Sequence, residues 1–353
     1  MRSVFLIRHG EPDFPRGQKI CLGQTDLPLS QLGRMQACLL AEKLNEENIS
    51  AVFSSPLLRA KETAGAFSLP VHTVPSLTEQ NMGVWDGLSF DKIRNAWPEL
   101  YLSRADSPLL VPPGAETLSE VRSRALPAFE KILRSSADNI AVVAHASVIQ
   151  AILASLTDTP PEKSFSFRLP YSAYALLQGE TDAAPAAFGI LPDVPLTPAL
   201  AEKLLLAAAP GENVIAHCRA VAEMTRRVAS ALPGQADEKK LRCAALLHDA
   251  ARALPNHAEA GAKWVERLGY SECACLIRVH HDLPEEHTIE EAVLFLCDKC
   301  VQEDKIVPIR ERFAHSALRC RDKEAENAHA RRFETALRVQ EEINARCGMP
   351  LIP

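Results

Sequence analysis

Short apolar runs alternate with segments of helical period, and the alternation stops near residue 180. No other feature limits the fold of this chain as strongly. Runs at 4–7, 51–53, 140–144 and 171–177 read as strands, and 30–44, 57–67, 117–133 and 147–156 read as helices. Within 30–44, Leu32, Met35, Gln36, Leu39, Leu40 and Leu44 fall near a 3.6-residue period. Strands alternating with helices predict an α/β three-layer sandwich around a mostly parallel sheet. Residues 179–198 hold four prolines and two glycines, a composition that predicts a linker. Beyond it no run reads as a strand, and 199–209, 214–232, 238–254, 258–268, 290–302 and 325–347 read as helices. The expected organisation is an α/β domain over 1–180, a linker over 181–198 and an all-α helical domain over 199–353.

At 353 residues the chain is long enough for two domains of ordinary size. A net charge of -6 offers no general attraction to nucleic acid or to an anionic membrane. No apolar run approaches the roughly 20 residues of a membrane span. The first residues enter a strand directly, with no apolar leader segment, which predicts a cytoplasmic location. Ten cysteines scattered through so long a chain fit reduced thiols. Cys297 and Cys300 form a lone C-x-x-C inside an apolar helical pattern, with no second pair to complete a zinc site, and read as core residues. Oligomeric state has no signature in the sequence.

In an α/β sheet, function sits beyond the carboxyl ends of the strands. Arg8 and His9 follow the first strand, His145 follows the 140–144 strand, and Arg59 lies on the helix after Ser54-Ser55-Pro56. Two arginines and two histidines on one rim suit a phosphoryl group, because guanidinium forks match phosphate oxygens and helix starts add N–H donors.

The segments "LIRHGE" (6–11), "GQTDLPLSQLGRMQA" (23–37), "VFSSPLLRAKETA" (52–64), "LTEQNMGVWDGLSFDKI" (77–93) and "AVVAHASVIQAIL" (141–153) occur in that order. Together they resemble the histidine phosphatase superfamily, also called phosphoglycerate mutase-like. The resemblance implies that His9 is a nucleophile forming phosphohistidine. It implies that Arg8, Arg59 and His145 hold the phosphoryl oxygens, and that Glu79 is the acid and base at the leaving oxygen. Gln24 and Thr25 would touch substrate, and the pocket would need no metal. Pro12 stands where relatives carry Thr or Ser, and Ala146-Ser147 where they carry Gly, so phosphate contacts are expected to differ there. The short stretch between Glu79 and His145, together with "GVWDGLS", resembles the small-molecule phosphatases. A small phosphomonoester is therefore the expected substrate, with a phosphoglycerate mutase carrying a regulatory helical domain as the alternative.

In the helical half, His217, His248-Asp249, His257, His280 and Asp298 interrupt or end apolar faces. A carboxylate among leucines is costly without a partner, and a cation supplies one. The ordered set resembles the HD superfamily of metal-dependent phosphohydrolases over roughly residues 205–315. That resemblance implies that His217, His248, Asp249 and Asp298 are core metal ligands, and that His257 and His280 are the added histidines of binuclear members. Mixed nitrogen and oxygen ligation suits Fe, Mn or Zn. Arg252 would bind substrate phosphate, while His281 falls to a different side of its helix end. Residues 298–313 read as a solvated charged face. The expected whole is a bifunctional phosphohydrolase. Its second site would act on a phosphoester or phosphoanhydride of a nucleotide, with a nucleotide-sensing role for the helical domain as the other reading.

Overall fold

A computed structural model describes residues 2–107, 109–135, 138–179, 183–318 and 320–350. The chain divides into two compact units, 1–194 and 195–353.

The first unit is built on a six-stranded sheet of order β3-β2-β4-β1-β5-β6. Its strands are β1 (Ser3–Arg8), β2 (Ala51–Ser54), β3 (Val71–Thr73), β4 (Ile140–Ala144), β5 (Tyr174–Gln178) and β6 (Ala184–Ile190). β1, β2, β3 and β4 run parallel, and β5 and β6 add an antiparallel edge. The helices are α1 (Gln31–Leu44), α2 (Leu58–Gly65), α3 (Phe90–Ala96), α4 (Pro98–Asp106), α5 (Leu118–Ser135) and α6 (Ala146–Leu156). Side chains alternate across β1. Val4 and Leu6 meet Val121 and Phe129 of α5 and Val148 and Ile152 of α6 on one face. Phe5 and Ile7 meet Leu40 and Leu44 of α1 and Ala60 and Ala64 of α2 on the other. Both faces are covered, which is why β4 reads as an uninterrupted apolar run, buried throughout.

The expected linker needs correction at its first part. Residues 184–190 form β6, which pairs with β5 as the sheet's edge despite Pro185. A proline is tolerated on an edge strand because one side of that strand makes no ladder bonds. The chain is therefore in the first unit until Val194.

Gly10 and Gly33 let the chain after β1 lie against α1. A Cβ on Gly10 would stand 2.5 Å from the Gly33 carbonyl oxygen, and one on Gly33 would stand 2.1 Å from the Glu11 carbonyl oxygen. Neither neighbour is a side chain that can swing away. Gly33→Ala gains up to about 1 kcal/mol of helix propensity, but the forced backbone shift costs about 1–3 kcal/mol and wins. The thermal midpoint of the first unit is expected to fall by several degrees, read by calorimetry; an unchanged or raised midpoint would show that the backbone can yield.

The second unit is helical. Its helices are α7 (Pro198–Ala208), α8 (Glu212–Ser230), α9 (Glu238–Leu247), α10 (His257–Arg267), α11 (Ser271–Val279), α12 (Ile289–Lys299), α13 (Ile309–Ala317) and α14 (Lys323–Cys347). α12 is buried from Ala292 to Lys299 and starts at a capping box between Thr288 and Glu291. Two expectations fail at helix ends. The predicted helix over 238–254 stops at Leu247, after which the chain closes tighter turns such as Ala250 N–H to Leu247 and Arg252 N–H to Asp249. The predicted helix over 290–302 stops at Lys299. Val301–Gln302 (β7) then pairs with Lys305–Ile306 (β8) in a hairpin whose turn places Glu303 at φ 58°. Among the described residues no helix is long and apolar enough to cross a membrane.

Candidate active sites of the two units

β1 and β4 are parallel neighbours, so their carboxyl ends deliver Arg8-His9 and His145 to one rim. The imidazole rings of His9 and His145 lie 5.0 Å apart. His9 is 4% exposed and His145 fully buried. His9 Nδ1 stands 2.7 Å from the Gly10 carbonyl oxygen, which can only accept, so the proton of the neutral ring sits on Nδ1. Nε2 is then the bare nitrogen, and Arg59 Nε donates to it at 3.3 Å. Burial, Arg59 and Arg8 hold His9 well below the usual histidine range against the opposing Gly10 bond, and the ring is neutral at pH 7. His145 is pushed down in the same direction by burial, His9 and the arginines.

Ser55 and Arg59 come from the turn and helix after β2. The Ser55 hydroxyl lies 2.7 Å from His145 Nε2 and accepts from the Leu57 N–H at 3.3 Å. His145 Nδ1 is a buried atom without a partner. Arg8 Nε is likewise buried and unpaired. An orphaned guanidinium N–H and an orphaned ring nitrogen beside the unprotonated His9 nitrogen suit the oxygens of a phosphoryl group.

Arg59, 1% exposed, donates Nη1 to the Thr25 carbonyl at 3.0 Å and Nη2 to the Gly23 carbonyl at 2.7 Å. The loop carrying Gln24 and Thr25 thus positions Arg59 through its backbone, while the Gln24 amide donates to the Glu79 carbonyl at 3.2 Å. Glu79 is 7% exposed and accepts the Gln80 N–H at 2.8 Å. Burial raises its pKa, opposed by that bond, by Arg59 and Arg8, and by the Ser147 N–H at the start of α6. Ser147 thus works through its backbone, which a glycine there would do equally.

Residues outside the expected set hold these groups. The Asp86 carboxylate accepts the N–H groups of Gly23, Gln24 and Thr25 at 2.9–3.0 Å. An acid inside the apolar loop "GVWDGLS" was its only sequence signal. Arg124 donates to the carbonyls of Ser76, Thr78 and Glu79 and pairs with Glu116 at 2.8 Å, fixing the backbone beneath Glu79. Tyr171 lies under the Arg8 guanidinium, 4.2 Å from its ring centre, with no motif to announce it.

In the second unit, α8 supplies His217, the end of α9 His248 and Asp249, the start of α10 His257, the end of α11 His280 and His281, and α12 Asp298. One ligand atom from each of His217, His248 and Asp249 falls within 4.8 Å of the others, and the same holds for Asp249, His257, His280 and His281. Asp249 belongs to both groups. Asp298 Oδ1 lies 3.1 Å from His217 Nε2 and 3.6 Å from His248 Nε2. His281, expected to face away, instead brings Nε2 to 2.7 Å from His257 Nε2.

The donor set fits divalent cations. His217, His248 and His280 each place Nδ1 2.7–2.9 Å from a backbone carbonyl, of Glu303, Ala245 and Ile277 respectively. Each Nδ1 therefore carries the proton and each Nε2 its lone pair. Those lone pairs converge on carboxylates: His280 Nε2 is 3.6 Å and His257 Nε2 is 3.0 Å from Asp249 Oδ1. Arg252 donates to His257 Nε2 at 2.9 Å, so that nitrogen too is an acceptor facing an acceptor. His248 Nε2, His280 Nε2 and Asp249 Oδ1 are buried without partners. Acceptors packed against acceptors are repulsive unless a metal cation or a shared proton lies among them, and, against burial, Asp249 and Asp298 do push His248 toward its protonated form. Cys297 and Cys300 contribute nothing here: both are fully buried, and burial pushes Cys300 up to about 12 and Cys297 higher than an ordinary thiol.

Residues 4–187 match the histidine phosphatase superfamily (branch 1), and residues 214–302 match the HD domain. Glucosyl-3-phosphoglycerate phosphatase of Mycolicibacterium vanbaalenii is 31% identical over 172 residues, which is 45% of this chain and 76% of that protein. Metal-independent phosphoserine phosphatase of Arabidopsis thaliana is 33% identical over 164 residues, 44% of this chain and 68% of that one. Among solved structures, a mycobacterial hydrolase aligns with TM-score 0.52 at 26% identity, covering 59% of this chain and 97% of its own. YhfR of Bacillus stearothermophilus aligns with TM-score 0.51 at 27% identity, covering 55% and 98%. The rim of Arg8, His9, Arg59 and His145 thus sits in the matched part of a chain that belongs to the histidine phosphatase superfamily, joined to an HD domain, and is a hydrolase of phosphoric esters.

Proposed function

We propose that the first unit is a metal-free phosphomonoesterase working through phosphohistidine on His9. The observation that supports this reading is the neutral His9 ring, its proton fixed on Nδ1 by Gly10 and its Nε2 unprotonated, met only by a long 3.3 Å bond from Arg59 Nε. The Nε2 lone pair attacks phosphorus, the bond to the leaving oxygen breaks, and Glu79 gives that oxygen its proton. Water then attacks phosphorus, the N–P bond breaks, and the Glu79 carboxylate takes the water proton. Arg8, Arg59 and His145 hold the non-bridging oxygens throughout. Small phosphorylated metabolites are the supported substrate class, since the relatives are named as phosphatases of such molecules.

Glu79→Gln tests the acid. The rate on an alkyl phosphate is expected to fall by about 10²–10⁴-fold, and the rate on p-nitrophenyl phosphate, whose leaving group needs no proton, by far less. In the wild type the rate should fall as pH rises through the raised Glu79 pKa, because the acid form is then lost. It should also fall at low pH, where the depressed His9 finally protonates. Equal losses on both substrates would remove Glu79 from the leaving oxygen.

For the second unit, an HD domain implies a divalent metal. We read His217, His248, Asp249 and Asp298 as holding one cation and Asp249, His257, His280 and His281 as holding a second, with Fe, Mn or Zn suited to the donors. Bound cations supply Lewis acidity and an ionised water for cleavage of a phosphoester or phosphoanhydride, a nucleotide being the favoured substrate. The chain's own part is orientation. Carbonyls fix the ring tautomers, Lys299 Nζ lies 2.7 Å from Asp298 Oδ2 and keeps it ionised, and Arg252 stands by Asp249 to meet phosphate. Ten free thiols support a reducing, cytoplasmic setting.

A further inference from the structure

A cavity of about 390 Å³ opens beside the His–Asp cluster of the second unit. Small-molecule sites span roughly 300–1,000 Å³, so it has room for more than one phosphoryl group. Part of its lining is the cluster itself. Another part is Arg312, Phe313 and Ser316 of α13 with His329 and Arg332 of α14. Those helices begin at Ile309, beyond residue 302 where the HD match ends.

The cations that line the cavity are not equivalent. Lys299 is paired with Asp298 at 2.7 Å, and Arg252 faces Asp249 at 3.5 Å. The Arg332 fork is closed on Asp282 by bonds of 2.6 and 2.7 Å. Arg312 is half-buried, and its Nε donates to the Val301 carbonyl at 3.2 Å. Among the described residues it pairs with no carboxylate. That single bond fixes the guanidinium plane and leaves both terminal nitrogens for a ligand. A half-buried guanidinium without a counter-charge draws an anion, and its fork matches two phosphate oxygens.

We infer that Arg312 receives a second phosphoryl group of the substrate, beyond the one that meets the His–Asp cluster. This unit then acts on molecules carrying two phosphoryl groups in an anhydride, and α13, outside the HD match, sets that preference. The inference rests on the metal-centre reading of the cluster. With a monoester, Arg312 would stay uncompensated.

The test uses the full chain loaded with manganese and desalted, with bound metal measured on every sample. Calorimetric titration compares methylenediphosphonate, which has two phosphonates and a bridge that is not hydrolysed, with methylphosphonate. Subtracting the titration of chelator-treated protein removes binding at the first unit. Arg312→Gln is expected to weaken the metal-dependent binding of methylenediphosphonate by about tenfold or more, and that of methylphosphonate by less than about twofold. Arg312→Lys, which keeps the stem and charge but loses the fork, should lose several-fold and carries the test if the glutamine variant is unstable. Unchanged diphosphonate binding, or equal weakening of both probes, overturns the role of Arg312 while leaving the metal centre intact. A wild type that holds none of manganese, iron or zinc when loaded with each in turn overturns the metal-centre reading and this inference with it.

Discussion

His9→Ala is expected to lower the metal-independent phosphatase rate by about 10⁴-fold or more, the scale on which removing an enzyme nucleophile acts. Arg8, Arg59 and His145 would still bind a phosphoryl group in the variant, and Glu79 would still carry its proton. What disappears is the nitrogen that splits one displacement into two. The substrate KM should therefore move little while kcat collapses. Rapid quenching of wild type with labelled substrate should show phosphate bound to protein through an acid-labile, alkali-stable bond, and the variant should show none. Because His9 is tied only to Gly10, Arg59 and its neighbouring rings, the fold should survive, as a thermal midpoint would verify. Retention of more than a tenth of the rate would mean that the bare nitrogen of His9 is not the attacking atom.

Asp249→Asn carries the second large effect. The substitution keeps the shape of the side chain and removes the charge shared by both ligand groups. Outer partners of metal ligands are worth about 10–100-fold in affinity, and a carboxylate common to two cations at least the upper end of that. Bound metal, measured by elemental analysis after dialysis, should fall at both positions together, with the metal-dependent hydrolysis. Chelation of wild type should reproduce the loss. The His9-dependent rate should stand unchanged in both cases if, as proposed, the first site works without a cation. Full metal content in the asparagine variant would break the assignment of Asp249 as the common ligand.

Much of this was legible in the sequence because it lay in local patterns. The alternation of β1, α1, β2 and α2 follows from apolar period, and the rim of Arg8, His9 and His145 from strands ending in polar residues. What escaped was held by distant backbone. Asp86 reaches the N–H groups of Gly23, Gln24 and Thr25 from about sixty positions away, a link no periodicity records. β6 was hidden because prolines and glycines mark both edge strands and linkers. The charged run after Asp298 concealed the β7–β8 hairpin, whose Glu303 carbonyl accepts from His217. Helical spacing puts His281 on a different side of its helix end, yet α11 ends at Val279, so that spacing does not hold at His281.

The bonds from His248 to Ala245 and from His280 to Ile277 span three residues at the ends of α9 and α11. Carbonyls run out of partners within the helix there, and these two meet an imidazole instead, the Ile277 carbonyl also accepting the His280 N–H at 3.4 Å. The same proton that meets a helix-end carbonyl also decides which nitrogen looks inward. Ending the helix and priming the ligand are one event. Stripped of its ions, this bundle should keep its cradle standing and refill without refolding, unlike small zinc modules that collapse when emptied.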